Sequence, residues 1–267
     1  MRVTRPLAID ARDPLDPIDR MTLERYLTDV AVDNVHVLVV IPAYNEADAL
    51  PSVLESMPTQ LDGVAPTILV VSDGSTDQTR AVALAHGALC CETPINRGQG
   101  AALRLGYLIA LRLGADYIGV IDADGQWAPE GLVTGLAYLT SGKADFVQGS
   151  RVLGSTDVGD PIRDLGVKVF AMLISRLTGV AVTDTSSGLR LFTTKIAARI
   201  RLDQPQYQSS ELLIAAAFAG ARIQEFPVAM TKRVAGHSKK AANLLYGLYY
   251  MRAAIRTYLR ERWIAPS

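Results

Sequence analysis

Two carboxylates one residue apart, Asp122 and Asp124, close an apolar run at residues 117–121 and precede Gly125 and Gln126. The run is short and rich in β-branched residues, so it reads as a buried strand. Strand alternation sends both carboxylates to one side of the backbone. The small residues Ala123 and Gly125 leave room for a ligand. Hard oxygen ligands at the carboxyl end of a strand suit Mg²⁺ or Mn²⁺ carrying a diphosphate. The competing reading is a polar loop capping the helix that Pro129 and Glu130 announce.

Further polar residues stand at the ends of other apolar runs. Asn45 and Glu46 follow the run 35–41 and Pro42, where a loop and helix start hold a base or ribose, or merely cap the helix. Asp73 follows the run 67–71 and is a hydrogen-bond acceptor for base or ribose, with Ser75, Thr76 or Asp77 as helix cap. Arg97 is a phosphate or base-stacking contact, and Gly98 and Gly100 permit close backbone approach. The spacing is not that of a P-loop or of a dinucleotide fingerprint.

These residues need a scaffold that brings strand ends together. Strands at 35–41, 67–71, 88–92, 117–121 and 145–148 alternate with helices at about 46–57, after 77, to about 113, and 129–140. That alternation predicts an α/β fold with a mostly parallel sheet covered by helices. Pro42 is expected to stop the first strand. After Arg151 the pattern changes. Residues 152–160 read as a loop and candidate lid, and 162–177 as a helix whose apolar face is Leu165, Val169, Met172, Leu173 and Leu177. An Ala- and Leu-rich helix spans 211–219, and a strand at 221–228 carries Pro227, which assigns it to a sheet edge. A final helix, 241–263, places Arg252, Arg256 and Arg260 on one face and ends at Trp263. Such a helix suits a membrane interface, or packs on the domain with a solvated basic face.

The chain has 267 residues, 49% apolar and 20% charged, enough for one large domain or a domain with an extension. Its formal net charge is zero, which gives no global pull toward nucleic acid. The last thirty residues are nonetheless basic, with Lys239, Lys240, Arg252, Arg256, Arg260 and Arg262 against Glu261 alone. Adjacent Cys90 and Cys91 fit buried thiols in a reducing compartment. The N-terminus lacks the apolar core of a signal peptide, and no apolar run approaches the ~20 residues needed to span a bilayer. The expectation is a cytoplasmic enzyme.

The ordered set Val-Val-Ile-Pro-Ala-Tyr-Asn-Glu at 39–46, Val-Ser-Asp-Gly-Ser-Thr-Asp at 71–77, Asn-Arg-Gly at 96–98, Asp-Ala-Asp-Gly-Gln at 122–126 and Gly-Ser-Arg at 149–151 resembles inverting family 2 glycosyltransferases of the GT-A fold. Asp-Thr-Ser-Ser-Gly-Leu-Arg at 184–190 and the block 233–239 resemble the branch that holds dolichyl-phosphate mannose and glucose synthases. The resemblance implies a GT-A domain at 35–240 with a nucleotide-binding half to 151 and an acceptor half beyond; the residues outside it read as an N-terminal arm at 1–34, in which no chemistry is legible, and an amphipathic helix at 241–267. It implies a UDP- or GDP-linked sugar donor. Pro42, Tyr44, Glu46, Asp73, Arg97 and Gly98 would surround the nucleotide. Asp122, Ala123, Asp124 and Gln126 would hold metal and diphosphate. Arg151 and Arg163 would meet an acceptor phosphate, and Arg190, Arg233, Ser238 and Lys239 would close over the phosphates.

The acceptor decides whether a base is needed. A lipid monophosphate is already ionised at pH 7, so positioning arginines suffice. A sugar hydroxyl needs a carboxylate base, for which Glu211 is the distal candidate, although it opens an apolar helix and serves equally as a cap or partner of a basic residue. The leading expectation is transfer to a polyprenyl phosphate at the cytoplasmic membrane face. The alternatives are transfer to a soluble or glycan hydroxyl, and a nucleotide-sugar-binding subunit beside a membrane protein. A homo-oligomer also remains open.

Overall fold

The structure is a computed structural model that describes residues 16–30, 32, 34–157, 161–233 and 244–264, with side chains omitted at 161–164, 244–246 and 264. Its sheet has seven strands: β1 (Val37–Ala43), β2 (Thr67–Asp73), β3 (Leu89–Thr93), β4 (Tyr117–Ile121), β5 (Phe146–Thr156), β6 (Leu189–Thr193) and β7 (Ile223–Met230). Their order is β3-β2-β1-β4-β6-β5-β7. All run parallel except β6, which is antiparallel to both β4 and β5. The carboxyl ends of six strands and the start of β6 therefore share one edge, where such sheets carry their ligands.

β1 is buried at all seven positions, because helices cover both faces of the sheet. On one side lie α1 (Pro17–Asp29), α4 (Gln99–Arg112), α8 (Gln208–Phe218) and α9 (Leu244–Ile264), whose apolar side chains join Leu38, Val40, Leu69, Val71 and Phe192 in one core. On the other, α2 (Leu50–Glu55), α3 (Thr79–Ala85) and α5 (Gly131–Thr140) pack with Val39, Ile41, Val70 and Leu191. The elements α6 (Pro161–Thr178) and α7 (Thr194–Ala197) complete the chain. Cys90 and Cys91 are free thiols, half-buried and buried respectively.

Several sequence expectations change. β1 continues through Pro42, which still registers with Val71 of β2, while pairing to β4 ends at Val40 and Val120. The missing N–H of Pro42 thus falls where one neighbour has already ended. Residues 152–156 are the end of β5 rather than a loop or lid, pairing with β7 beyond a register shift between Ser150 and Ser155; residues 158–160 of the candidate lid lie outside the described residues. Gly154 fits because Val228 of β7 occupies the space a side chain would need. Pro227 does lie on an edge strand, β7. The apolar face of α6 read from the sequence is split, with Leu173 and Leu177 half-buried and the rest outward. Val167, Ala171 and Ile174 are buried, whereas Leu165, Val169 and Met172 are more than half exposed. Both sets follow helical spacing, so periodicity alone chose the wrong stripe.

Candidate active site

The site edge is built from short loops stitched to one another. Asn45, after β1, accepts a hydrogen bond from the N–H of Thr76 at 2.8 Å, and its own N–H donates to Ser75 Oγ at 3.1 Å. The Glu46 N–H donates to Thr79 Oγ1 at 3.0 Å. Tyr44 and Glu46 are half-buried beside this seam. Asp73, at the end of β2, is buried, and its Oδ2 accepts the N–H groups of Arg97 at 2.9 Å and Gly98 at 2.7 Å. The Thr93 hydroxyl reaches its Oδ1 at 3.1 Å. Burial pushes the Asp73 carboxyl above its ordinary pKa, while those three donors pull it back. Asp73 thus folds the 96–98 loop.

Gly98 adopts φ +97°, and a Cβ there would meet the carbonyl oxygen of Pro205 at 2.6 Å. The Gly100 N–H donates to that same oxygen at 2.9 Å. The close approach permitted by Gly98 and Gly100 is therefore made by residues 204–205 of the chain itself. Glu211 anchors that segment. Its Oε1 accepts the Asp203 N–H at 2.9 Å and Arg260 Nη1 at 2.8 Å, and its Oε2 accepts the Gln204 N–H at 3.0 Å. Its side chain has no exposed surface. This corrects the base candidate: a carboxylate so enclosed and saturated has no face for a substrate hydroxyl. Arg260 is correspondingly drawn inward, where it also pairs with Asp203 and Glu261, and leaves the basic stripe of α9.

β4 ends at Ile121, so Asp122 and Asp124 sit in a turn rather than on extended strand, and simple alternation does not orient them. Asp122 Oδ1 accepts Gln99 Nε2 at 2.7 Å. Asp124 is buried, with Oδ1 taking the Gln126 N–H at 3.1 Å and Oδ2 facing Arg233 Nη2 at 2.8 Å. Arg233 Nη1 lies 3.9 Å from Glu46, so one guanidinium spans two loops. Gln126 Nε2 donates to the Thr231 carbonyl at 3.1 Å, and the Thr231 N–H donates to the Gln126 carbonyl at 2.9 Å. That pair pins the 124–127 turn to the end of β7. Among the described residues no three Asp, Glu, His or Cys side chains form a cage. Two carboxylates at this edge fit a hard cation that completes its shell with water and phosphate oxygens. Ala123 is buried in the same turn.

The other half of the edge is held by ions. Arg151, 5% exposed, meets Asp184 through Nε at 2.8 Å and Nη2 at 2.9 Å, with Ser186 on the same Nη2. Its guanidinium carbon lies 5.7 Å from the Trp127 ring centroid. Arg151 is thereby a strut of the 183–188 loop, its donors turned to protein rather than toward an acceptor phosphate. Glu225 of β7 holds the same loop, accepting Thr183 N–H at 2.7 Å, Thr183 Oγ1 at 2.7 Å and Asp184 N–H at 3.1 Å. Tyr250 of α9 donates to the Thr185 carbonyl at 3.0 Å. Gly188 ends the loop, and a Cβ there would collide with the Asp122 carboxylate and Trp127 Nε1. Arg190 is buried, contacting the Ser187 carbonyl and Ser209 Oγ at 2.6 Å, while its Nε has no hydrogen-bond partner. Burial lifts the neighbouring Tyr107 phenol to about 12, with Arg190 opposing and Asp122 reinforcing the rise. Arg163 lies in the first turn of α6, its side chain outside the description. Ser238 and Lys239 lie outside the described residues.

Sequence reasoning passed over Gln99 and Glu225, and gave no role to Asp184 and Gly188 although both stand in the 184–190 block that carried the resemblance. A lone glycine before a strand and a lone acid in an edge strand were the available signals.

The family model for glycosyl transferase family 2 matches residues 38–201. A dolichyl-phosphate hexose transferase of Haloferax volcanii is 32% identical over 201 residues, covering 75% of this chain and 85% of that protein. A polyprenol monophosphomannose synthase of Mycolicibacterium smegmatis is 34% identical over 221 residues, covering 77% of this chain and 81% of that one. Glucosyl-3-phosphoglycerate synthase from Mycobacterium tuberculosis, solved with Mn²⁺, UDP and glucosyl-3-phosphoglycerate, superposes with a TM-score of 0.65 at 22% identity, over 96% of this chain and 87% of that chain. The architecture is thus the GT-A fold.

Proposed function

Since the chain belongs to glycosyl transferase family 2, we propose that it moves a sugar, with inversion, from a UDP- or GDP-linked donor to a polyprenyl phosphate at a membrane surface. The observation that carries the lipid half is the outward apolar face of α6 and α9. Leu165, Val169 and Met172 on α6 and Leu248, Tyr249, Ile255, Leu259 and Trp263 on α9 are all exposed. The helices meet where the Phe170 ring lies 4.4 Å from that of Tyr250, and exposed Arg252 and Arg256 interleave with the apolar residues of the α9 face, with Arg262 beside it. An apolar surface of this extent beside basic residues suits an anionic bilayer. No helix among the described residues is long and apolar enough to cross a membrane. The names of the two relatives above support the same acceptor class.

The reaction is a displacement at the anomeric carbon. An acceptor phosphate oxygen forms the new C–O bond on one face. The bond to the diphosphate breaks on the other, leaving its electron pair on the departing oxygen. The acceptor is an anion at pH 7, so no general base is required, which agrees with the enclosure of Glu211. Tyr44, Glu46 and the loops at 73 and 96–98 frame the nucleotide. Asp122 and Asp124 would hold a divalent cation, which when bound would supply positive charge for the leaving diphosphate. Arg233 exchanges Asp124 for a phosphate oxygen when donor enters, and Arg190 supplies a buried positive charge beneath the site. Arg163, with Ser238 and Lys239, completes the phosphate contacts.

The test is donor consumption by purified protein with Mn²⁺ or Mg²⁺, with and without a short-chain polyprenyl phosphate. Glycosyl-phospholipid formed only when lipid phosphate is present is the expected result. Metal-dependent donor consumption indifferent to the lipid would overturn the acceptor.

A further inference from the structure

Helix α1 packs Leu23, Tyr26 and Leu27 against the core. A helix attached for stability buries an apolar stripe. Alongside that stripe α1 also buries an acid: its buried residues are Asp19, Thr22 and Leu23. Asp19 has no exposed surface, and burying a carboxylate is expensive unless it is paired and bonded. Its partners are two guanidinium groups. One carboxylate oxygen takes Arg97 Nη2; the other takes Arg104 of α4, with Nε at 2.7 Å and Nη2 at 2.6 Å. Asp16, at the N-cap of α1, accepts the Ile18 N–H at 2.8 Å and also Arg97 Nη1 at 3.0 Å. Two acids against two arginines leave the cluster neutral.

Arg97 stands in the loop between β3 and α4. Asp73 fixes the backbone of that loop through two N–H groups, but leaves the guanidinium undirected. Its Nε is buried with no hydrogen-bond partner, so Asp16 and Asp19 hold it through the outer nitrogens. We propose that α1 belongs to the donor site, with Asp19, assisted by Asp16, as a positioning residue that acts through Arg97 to set affinity for the nucleotide. This rests on the reading that the 96–98 loop borders the nucleotide.

The experiment is a calorimetric titration of the full chain with UDP and with GDP in Mn²⁺, for wild type, Asp19→Asn, Arg97→Ala and the double variant. Asp19→Asn should weaken the preferred nucleotide by about tenfold, the scale of a charge-assisted hydrogen bond acting at one remove. Arg97→Ala should weaken it at least as much, and the double variant no further than Arg97→Ala alone. Asp19→Asn binding like wild type while Arg97→Ala binds weakly would overturn the role of α1 and spare the loop reading. Losses that multiply in the double variant would also overturn it, since Asp19 would then act independently of Arg97. Unchanged affinity in Arg97→Ala would remove the loop from the nucleotide site, and the inference with it. Should Asp19→Asn fail to fold, Asp16→Asn makes the same test. Its side chain is 42% exposed and Asn remains a competent cap, so a two- to threefold loss of affinity, on the order of one exposed ion pair, is expected; none would overturn the proposal.

Discussion

The two halves of the site edge are secured by different means. On the side of β1, β2 and β3 the loops are tight and bonded through backbone N–H groups, as where Asp73 gathers Arg97 and Gly98. On the side of β5, β6 and β7 the 183–188 loop hangs on side chains from distant parts of the chain: Arg151, Glu225 and Tyr250. The first design satisfies backbone N–H groups with side chains 24 to 33 residues away. The second depends on buried charges, each of which strands its partner if removed. On the proposed function the first side serves the donor and the second the acceptor.

Halves secured so differently should respond differently to substitution, and the largest response belongs to the donor side. Asp124→Ala should reduce sugar transfer by about a thousandfold or more by removing a cation ligand, with the fold intact by circular dichroism. Activity retained without divalent metal would sink the donor side of the scheme. Asp184→Ala should destabilise the protein by about 3–5 kcal/mol, because buried Arg151 loses its counter-ion. Chemical denaturation reads this. If the halves are secured independently, nucleotide affinity of the still-folded variant should be close to wild type; a parallel loss would mean the halves are one unit. Leu165→Glu with Met172→Glu, on the exposed face of α6, should change stability by less than about 1 kcal/mol and abolish co-flotation with anionic vesicles. Unaltered flotation would take the membrane from this face. The smallest effect concerns the thiols. Burial raises Cys90 to about 11 and Cys91 to about 12, so both stay protonated at pH 8 and should resist alkylation until the chain is unfolded. Rapid native labelling would show β3 to be looser than the donor side requires.

The half built on β1 to β4 was readable because its polar residues follow its strands directly in sequence. β4 has the bounds its apolar run implies, and Asp122, Asp73 and Arg97 all come to the expected edge. What failed was whatever depends on pairing across the chain. Arg151 and Asp184 stand 33 residues apart, and no spacing rule predicts that they satisfy one another. Glu211 reads as base, cap or ion partner until Arg260 is seen against it, 49 residues on. Residues 152–156 look like loop because Gly, Ser and Thr dominate, yet the bare backbone of Gly154 is what lets β7 approach. The N-terminal arm offered no chemistry because Asp19 has meaning only beside Arg97 and Arg104, 78 and 85 residues away.

The reversed direction of β6 has a mechanical consequence. The chain leaves the site edge at the end of β5, runs through α6, and re-enters the same edge at the start of β6. Helix α6 is therefore a rod of 18 residues, roughly 27 Å long, linked to the site at both of its ends. The return strand of that excursion begins beside Gly188, which lies so close to Asp122 that no side chain fits between them.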